Sequence, residues 1–181
     1  MKQKDTITSI ISPLVRPGPS DISFKNMRFL IMDRPTDSTL STFVEELKKR
    51  NIRDVVRVCE PTYRTDILAK EGIQVHDLQF GDGLAPPQHV VDQWFEILRT
   101  RFREDPNGCV AVHCVAGLGR APVLVALALI ELGMPYEDAI DLIRQKRRGA
   151  INARQLSYLA DYRPKSRLKL KCRQTHKCLL Q

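Results

Sequence analysis

Cys114 and Arg120 stand with five residues between them: Val115, Ala116, Gly117, Leu118 and Gly119. The stretch VAVHCVAGLGRAP runs apolar, β-branched residues into a cysteine, two glycines, an arginine and a proline. Glycines accept backbone angles that other residues resist, so a loop of this kind can turn its amides inward. Pro122 suits the first turn of a following helix, where a missing N–H leaves nothing unpaired. The N-terminus of that helix adds partial positive charge at the same place. The result is a cup for a doubly charged anion. Backbone amides hold a phosphate, and the planar guanidinium of Arg120 matches two of its oxygens. The same field favours the thiolate of a cysteine seated at the floor. A thiolate aimed at a caged phosphorus displaces the leaving oxygen in line, giving a phosphocysteine that water then hydrolyses. Residues 115–120 are therefore the expected phosphate binders and Cys114 the expected nucleophile. His113 is expected to orient the loop, because a buried imidazole needs partners.

Blander patterns fit less well. A packed cysteine beside a surface arginine leaves both glycines without a reason. Gly117 and Gly119 match the first two glycines of a dinucleotide fingerprint, but Pro122 stands where the third belongs. A nucleotide-binding loop needs Gly-Lys-Ser/Thr, which is absent.

Phosphoester cleavage also needs a proton for the leaving oxygen. Asp82 lies between Gly81 and Gly83 in FGDGLAPP, a loop ahead of a long amphipathic helix. A donor there would share the carboxyl-end rim of the sheet with Cys114. On spacing alone, Asp82 reads equally well as an ordinary turn aspartate. Asp77 is a weaker candidate. Cys59 ends the strand-like run DVVRVC, so a parallel sheet would bring it to the rim where Cys114 sits. Oxidation would then close a Cys59–Cys114 disulfide that shields the nucleophile. A buried small apolar residue explains Cys59 equally well from its position.

The elements that must position these groups are legible in outline. A strand is expected over Lys25–Met32, a helix from Ser38 or Thr39 through Lys49, and strands over Asp54–Cys59 and Val75–Leu78. A short helix, Thr65–Lys70, lies between those two strands. After the FGDGLAPP loop a helix carries Val90, Val91, Trp94, Ile97, Leu98 and Phe102 inward at helical spacing. Cys109–His113 reads as a strand buried on both faces. Helices follow over Pro122–Leu132, Tyr136–Gln145 and Ala153–Tyr162. The alternation predicts an α/β fold: one domain with a mostly parallel central sheet flanked by helices. The predicted layout is a loose lead-in over residues 1–22, a catalytic domain over 23–162, and a tail over 163–181.

Charge separates the tail from the body. The 181 residues carry 29 basic and 21 acidic groups, a formal charge of +8. Seven of the basic residues and none of the acids lie beyond residue 162, leaving a nearly neutral body. That argues against a nucleic-acid-binding face and for a basic arm. The N-terminus lacks the apolar core of a signal peptide. The longest apolar run, Val123–Ile130, falls far short of the ~20 residues that cross a bilayer. Five cysteines without a secretory signal point to free thiols, and the lack of a C-x-x-C pair argues against structural zinc. No metal or cofactor is called for. The last four residues, Cys178-Leu179-Leu180-Gln181, form a farnesyl-type prenylation signal. One lipid chain binds weakly; the adjacent basic residues add attraction to anionic lipid, about 1 kcal/mol each near the surface.

Together these residues resemble one family, the phosphatases of regenerating liver, prenylated members of the dual-specificity branch of protein tyrosine phosphatases. The resemblance runs from about Phe24 to the end. It is most specific in HCVAGLGRAPVLVALALIE, in IRQKRRGA and in the basic tail with its prenylation signal. It implies Cys114 as nucleophile, Arg120 as phosphate binder, Asp82 as general acid, Cys59 as redox partner and Cys178 as the lipid attachment site. It implies phosphoprotein or phosphoinositide substrates, and residence on the cytoplasmic face of plasma membrane and endosomes, with nuclear entry of the unprenylated form. It also implies trimers at membranes and binding of cyclin-M magnesium transport mediators through the catalytic pocket. Ala121 stands where related phosphatases carry Ser or Thr to stabilise the departing thiolate, so slow breakdown of the phosphocysteine is expected. The family's acid loop, Trp-Pro-Phe-Asp-Asp-Gly-Ala-Pro-Pro, is altered here: an acid is lost at Gly81, and Leu84 looks inserted.

Overall fold

The computed structural model describes residues 18–168. Its elements are β1 (Ser20–Phe24), β2 (Met27–Asp33), α1 (Leu40–Lys49), β3 (Asp54–Arg57), α2 (Asp66–Lys70), β4 (Gln74–Asp77), α3 (Gln88–Glu104), β5 (Cys109–Cys114), α4 (Arg120–Glu131), α5 (Tyr136–Lys146) and α6 (Ala153–Asp161). One sheet holds the strands in the order β1-β2-β5-β3-β4. The β1–β2 pair is antiparallel and the other pairs are parallel. The expected single α/β domain with a mostly parallel sheet is what the chain forms.

Alternation along the strands sorts side chains to two faces. From β2 and β5, Phe29, Ile31, Val110 and Val112 join the cluster under α3, α4, α5 and α6. Leu30, Met32, Cys109 and Ala111 face the other way, toward α1 and α2. Helix α4 is buried along its whole length, which accounts for its nearly unbroken apolar sequence. Trp94 of α3 donates its indole N–H to Leu124 O of α4 (2.8 Å), satisfying its one polar atom inside the core. On α3 it is Phe95 that is fully buried, while Ile97 is half-buried.

Both predicted domain edges move outward. β1 starts at Ser20, inside the stretch expected to be loose, and pairs with β2 through a two-residue turn at Lys25 and Asn26. Lys25 takes a φ of 53°, a conformation usually signalled by Gly or Asn, so composition gave no sign of the hairpin. At the other end, residues 163–168 of the expected tail are seated on the domain. The buried carboxylate of Glu131 accepts from the Tyr162 hydroxyl (2.5 Å) and from the backbone N–H groups of Lys165 and Arg167 (2.9 and 2.8 Å). Leu168 is buried against the core. Cys178 and the rest of the basic arm lie outside the described residues, as do residues 1–17.

Candidate active site

β5 delivers Cys114 to the carboxyl end of the sheet at the centre of the strand order. Its neighbour β2 places Asp33 in register with Cys114, and β3 places Arg57 beside His113. Residues 115–119 then form a loop that runs straight into α4 at Arg120.

All five carbonyls of that loop are satisfied on its outer side. Val115 O accepts from Arg34 N (3.4 Å), Ala116 O from Arg147 Nη2 (3.1 Å) and Gly117 O from Arg147 Nε (2.8 Å). Leu118 O accepts from Ile151 N (2.8 Å), and Gly119 O from Val123 N in the first turn of α4 (3.2 Å). A loop whose carbonyls all turn outward presents its amides to the interior, which makes an anion-binding concavity. Gly117 is essential to that turn. Its φ is 62°, and a Cβ there would lie 2.5 Å from Arg147 Nη2 and 2.8 Å from Met32 O.

Arg120 is the first residue of α4, directly after the loop, and is 2% exposed. Its Nη1 donates to Phe80 O (3.2 Å) at the root of the acid loop. Its Nε is buried without a hydrogen-bond partner; Asp82 Oδ1 lies 3.2 Å away but off the N–H direction. The Glu60 carboxylate also lies 3.8 Å from Nη1, so the guanidinium is held among two acids and a carbonyl while its Nε keeps no hydrogen bond, and an oxyanion could take that N–H.

Asp82 borders the same pocket of about 300 Å³ as Cys114, and its carboxylate is largely exposed. The loop that carries it is tied down from α6. Asn152 Nδ2 donates to Gly83 O (3.1 Å), and Gln155 Nε2 donates to Leu84 O (3.2 Å). Asn152 and Gln155 also form the capping box of α6, so one turn of chain caps a helix and holds the acid loop. Gly81 and Leu84 turn out to be coupled: a Cβ at position 81 would lie 2.6 Å from Leu84 Cδ1. The lost acid thus makes room for the leucine that folds across it. Asp77, the weaker candidate, is committed elsewhere. Arg57 grips both of its oxygens (Nε–Oδ1 2.5 Å, Nη2–Oδ2 2.9 Å) across the β3–β4 pair.

His113 orients the loop as expected. A carbonyl can only accept, so the contact of Nδ1 with Cys114 O (3.3 Å) assigns the proton to Nδ1. Nε2 then accepts from the Tyr63 hydroxyl (2.7 Å), and burial pushes the Tyr63 phenol pKa upward, keeping it a donor. Burial also pushes the His113 pKa from 6.5 down to about 4. As pH falls below 6.5 the unfolded chain binds a proton that the folded chain refuses. Stability is therefore full above about pH 6.5 and declines toward pH 4, by at most about 1.4 kcal/mol per pH unit from this group. The difference in urea midpoint between wild type and His113→Gln should shrink over that interval; a constant difference would contradict the assignment.

Cys59 lies two residues beyond β3, whose ladder extends through Val58 N to His113 O (3.0 Å). Burial raises the Cys59 thiol pKa, the Arg120 charge opposes this, and the neighbouring Cys114 adds to it. The two thiols share one core cluster, and both are free.

The sequence reading missed Arg147, Asn152, Gln155 and Tyr63. Arg147 sits between two other basic residues, Lys146 and Arg148, yet it is fully buried. Beyond its two loop carbonyls it donates to Gly18 O, Ser20 Oγ, Ile31 O and Asp33 Oδ1 (2.7–3.2 Å). It ties the phosphate loop to the first two strands. The N-cap pattern Asn-x-x-Gln was a readable signal for α6, but not for its grip on the acid loop.

Similarity to known proteins agrees with this geometry. A family model described as "Polymorphic toxin system, DSP-PTPase phosphatase" matches residues 31–134. "PRL-1 phosphatase" of Drosophila melanogaster is 58% identical over 181 residues, covering 100% of this chain and 98% of that one. "Protein tyrosine phosphatase type IVA 3" of Homo sapiens is 62% identical over 162 residues, 90% of this chain and 94% of that one. Among solved structures, a putative protein tyrosine phosphatase from Leishmania major superposes with a TM-score of 0.73 at 44% identity, covering 80% of this chain and 98% of that one. With a cysteine and an arginine framing an inward-turned loop and relatives this similar along nearly the whole chain, the protein is a cysteine-dependent protein tyrosine phosphatase and belongs to the type IVA family, the phosphatases of regenerating liver.

Proposed function

We propose that the protein hydrolyses phosphoproteins at a membrane surface through a long-lived phosphocysteine. The observation that supports this most is the outward satisfaction of all five loop carbonyls, which leaves the amide edge and Arg120 to hold a phosphate above Cys114. In the first step the Cys114 sulfur bonds to phosphorus while the phosphorus–oxygen bond to the substrate breaks. Asp82 gives its proton to the leaving oxygen. In the second step water attacks phosphorus, Asp82 takes a proton back, and phosphate and thiolate separate.

The second step sets the pace in this reading. Ala121 is fully buried at the start of α4 and carries no hydroxyl to offer the departing thiolate. Ala121→Ser is expected to raise kcat about tenfold, the scale of one added hydrogen bond to a charged group. Rapid-mixing kinetics should show the burst of aryl alcohol shrinking as steady-state turnover rises. A kcat that stays flat or falls would contradict slow thiolate departure. Hydrogen peroxide would oxidise the Cys114 thiol to the sulfenic acid with release of water, and the Cys59 sulfur would then displace its oxygen as a second water, closing a Cys59–Cys114 disulfide that suspends both steps reversibly.

The basic tail and a farnesyl group on Cys178 would hold the enzyme on anionic cytoplasmic membranes, plasma membrane and endosomes included. Cys178→Ser is expected to move most of the protein from the membrane to the soluble fraction, with part of it entering the nucleus. Unchanged fractionation would refute the anchor. A second reading is favoured by Ala121 and the altered acid loop. In it the cup serves mainly as a docking site for an acidic side chain of a cyclin-M magnesium transport mediator, and catalysis is incidental. That role would be suppressed whenever Cys114 carries phosphate.

A further inference from the structure

A larger pocket, of about 470 Å³, lies between the end of β2 and helix α1. Its wall is apolar at Met32, Pro35 and Phe43, and its rim carries Thr39 and Thr42. Three charged groups line it. Two are acids that arginines already neutralise: Asp33 pairs with Arg147 (2.7 Å) and Glu46 with Arg50. The third is Arg34, half-buried and, among the described residues, without an ion-pair or hydrogen-bond partner for its guanidinium. Among the described residues the pocket therefore has an apolar wall and one unspent positive charge.

Arg34 also belongs to the edge of the catalytic cup. It follows Asp33, which pairs in register with Cys114, and its backbone N–H donates to the first carbonyl of the phosphate loop. Adjacent strands lie about 4.8 Å apart, so a chain bound over Cys114 meets Arg34 within one or two residues.

We propose that Arg34 and the pocket beside it form a subsite for the peptide flanking the phosphorylated residue, selecting a substrate with an acidic side chain next to an apolar one. The proposal rests on the phosphoprotein reading above and adds a sequence preference to it. A peptide fits better than a lipid headgroup carrying several phosphates, because among the described residues the pocket offers one free cation and an apolar wall. The carboxylate meets Arg34 in a partly solvated setting, so the preference is moderate and fades with salt.

The test uses the full-length protein and three kinds of substrate. Two are phosphotyrosine peptides differing only in flanks, acidic with an apolar neighbour or lysine in place of the acids, each placed before and then after the phosphotyrosine. The third is a short-chain phosphoinositide, with a small aryl phosphate as reference. Breakdown of the phosphocysteine is common to every substrate, so selection shows in kcat/KM rather than in kcat. The acidic peptide should be favoured about three- to tenfold on one side of the phosphotyrosine, in line with a partly exposed charge-assisted contact. Arg34→Ala should bring the ratio near one, Arg34→Lys should keep part of it, and Thr42→Glu, on the exposed face of α1, should lower it. Each ratio is taken within one protein, so any change in the shared chemistry divides out. Equal ratios in wild type and Arg34→Ala would overturn the proposal. So would a loss confined to the phosphoinositide, or a preference that changes with protein concentration, which would give the pocket to a second copy of the chain. Absence of turnover on every substrate, the aryl phosphate included, would instead remove the phosphatase reading on which the proposal stands.

Discussion

Cys114→Ser is expected to lower kcat/KM on any aryl phosphate by about 10⁴-fold or more, the scale seen when a covalent nucleophile is removed. A serine hydroxyl ionises far less readily than a thiol, and the adjacent imidazole cannot act as its base. His113, the imidazole next to it in the chain, is neutral, buried and committed through both nitrogens, to Cys114 O and to Tyr63. The substitution changes little else. Cys114 is 3% exposed at the end of a fully buried strand, and serine is of similar size. The folded cup with Arg120 should therefore survive, and binding of phosphate or of a docked acidic side chain with it. A Cys114→Ser protein that retains an appreciable fraction of turnover would remove Cys114 from the chemistry. One that is inactive but still docks on a transport mediator would show that the two roles share a pocket and separate in mechanism.

Arg147→Met is expected to cost about 3–5 kcal/mol of stability, the range for removing one partner of a buried charged network. Six acceptors converge on that guanidinium: Gly18, Ser20, Ile31 and Asp33 on or beside the first two strands, and Ala116 and Gly117 in the loop. Methionine matches much of the volume and none of the donors. The two loop carbonyls are then free to swing, and the amides that define the cup swing with them. The residual folded protein should lose about 10²-fold in kcat/KM, since misplacing the groups around a reacting centre by an ångström has effects on that scale. Arg147→Lys should fall between, because three donors on a point charge cannot serve six acceptors in a plane and beyond it. The urea midpoint and kcat/KM report the two losses separately. An equally stable and equally active Arg147→Met would show that the loop holds its own shape.

What the sequence revealed and what it hid follow from the range of the interactions. Helix α3 announced itself because Val90, Val91, Trp94, Leu98 and Phe102 recur within one helix, and all are buried. β5 and α4 were legible for the same local reason, and so was the loop between them, whose cysteine, glycines and arginine are contiguous. The groups that brace the cup were not legible. Arg147 reaches partners 30 to 129 residues away, and its neighbours Lys146 and Arg148 are exposed, so nothing local in the sequence sets it apart from them. Asp77 looked free as an acid until the β3–β4 register set it against Arg57. The β1–β2 hairpin was masked by a proline-rich approach and by a turn without glycine. The outward shift at the other edge rests on the carboxylate of Glu131 and on the burial of Leu168, contacts that no local periodicity marks. The altered acid loop is the instructive middle case. Its departure from the family pattern was visible, while the reason for it, Leu84 lying over Gly81, is a contact of side chain with backbone.

The central claim is that phosphorus passes through the sulfur of Cys114. Mixing the full-length protein with a generic aryl phosphate, quenching in acid and mapping peptides by mass spectrometry tests this directly. The expected result is one phosphate on the peptide containing Cys114, appearing in step with the first equivalent of aryl alcohol, persisting while substrate lasts, and missing from Cys114→Ser. Turnover with no adduct on that peptide, or with phosphate on Cys59 or His113 instead, would contradict it.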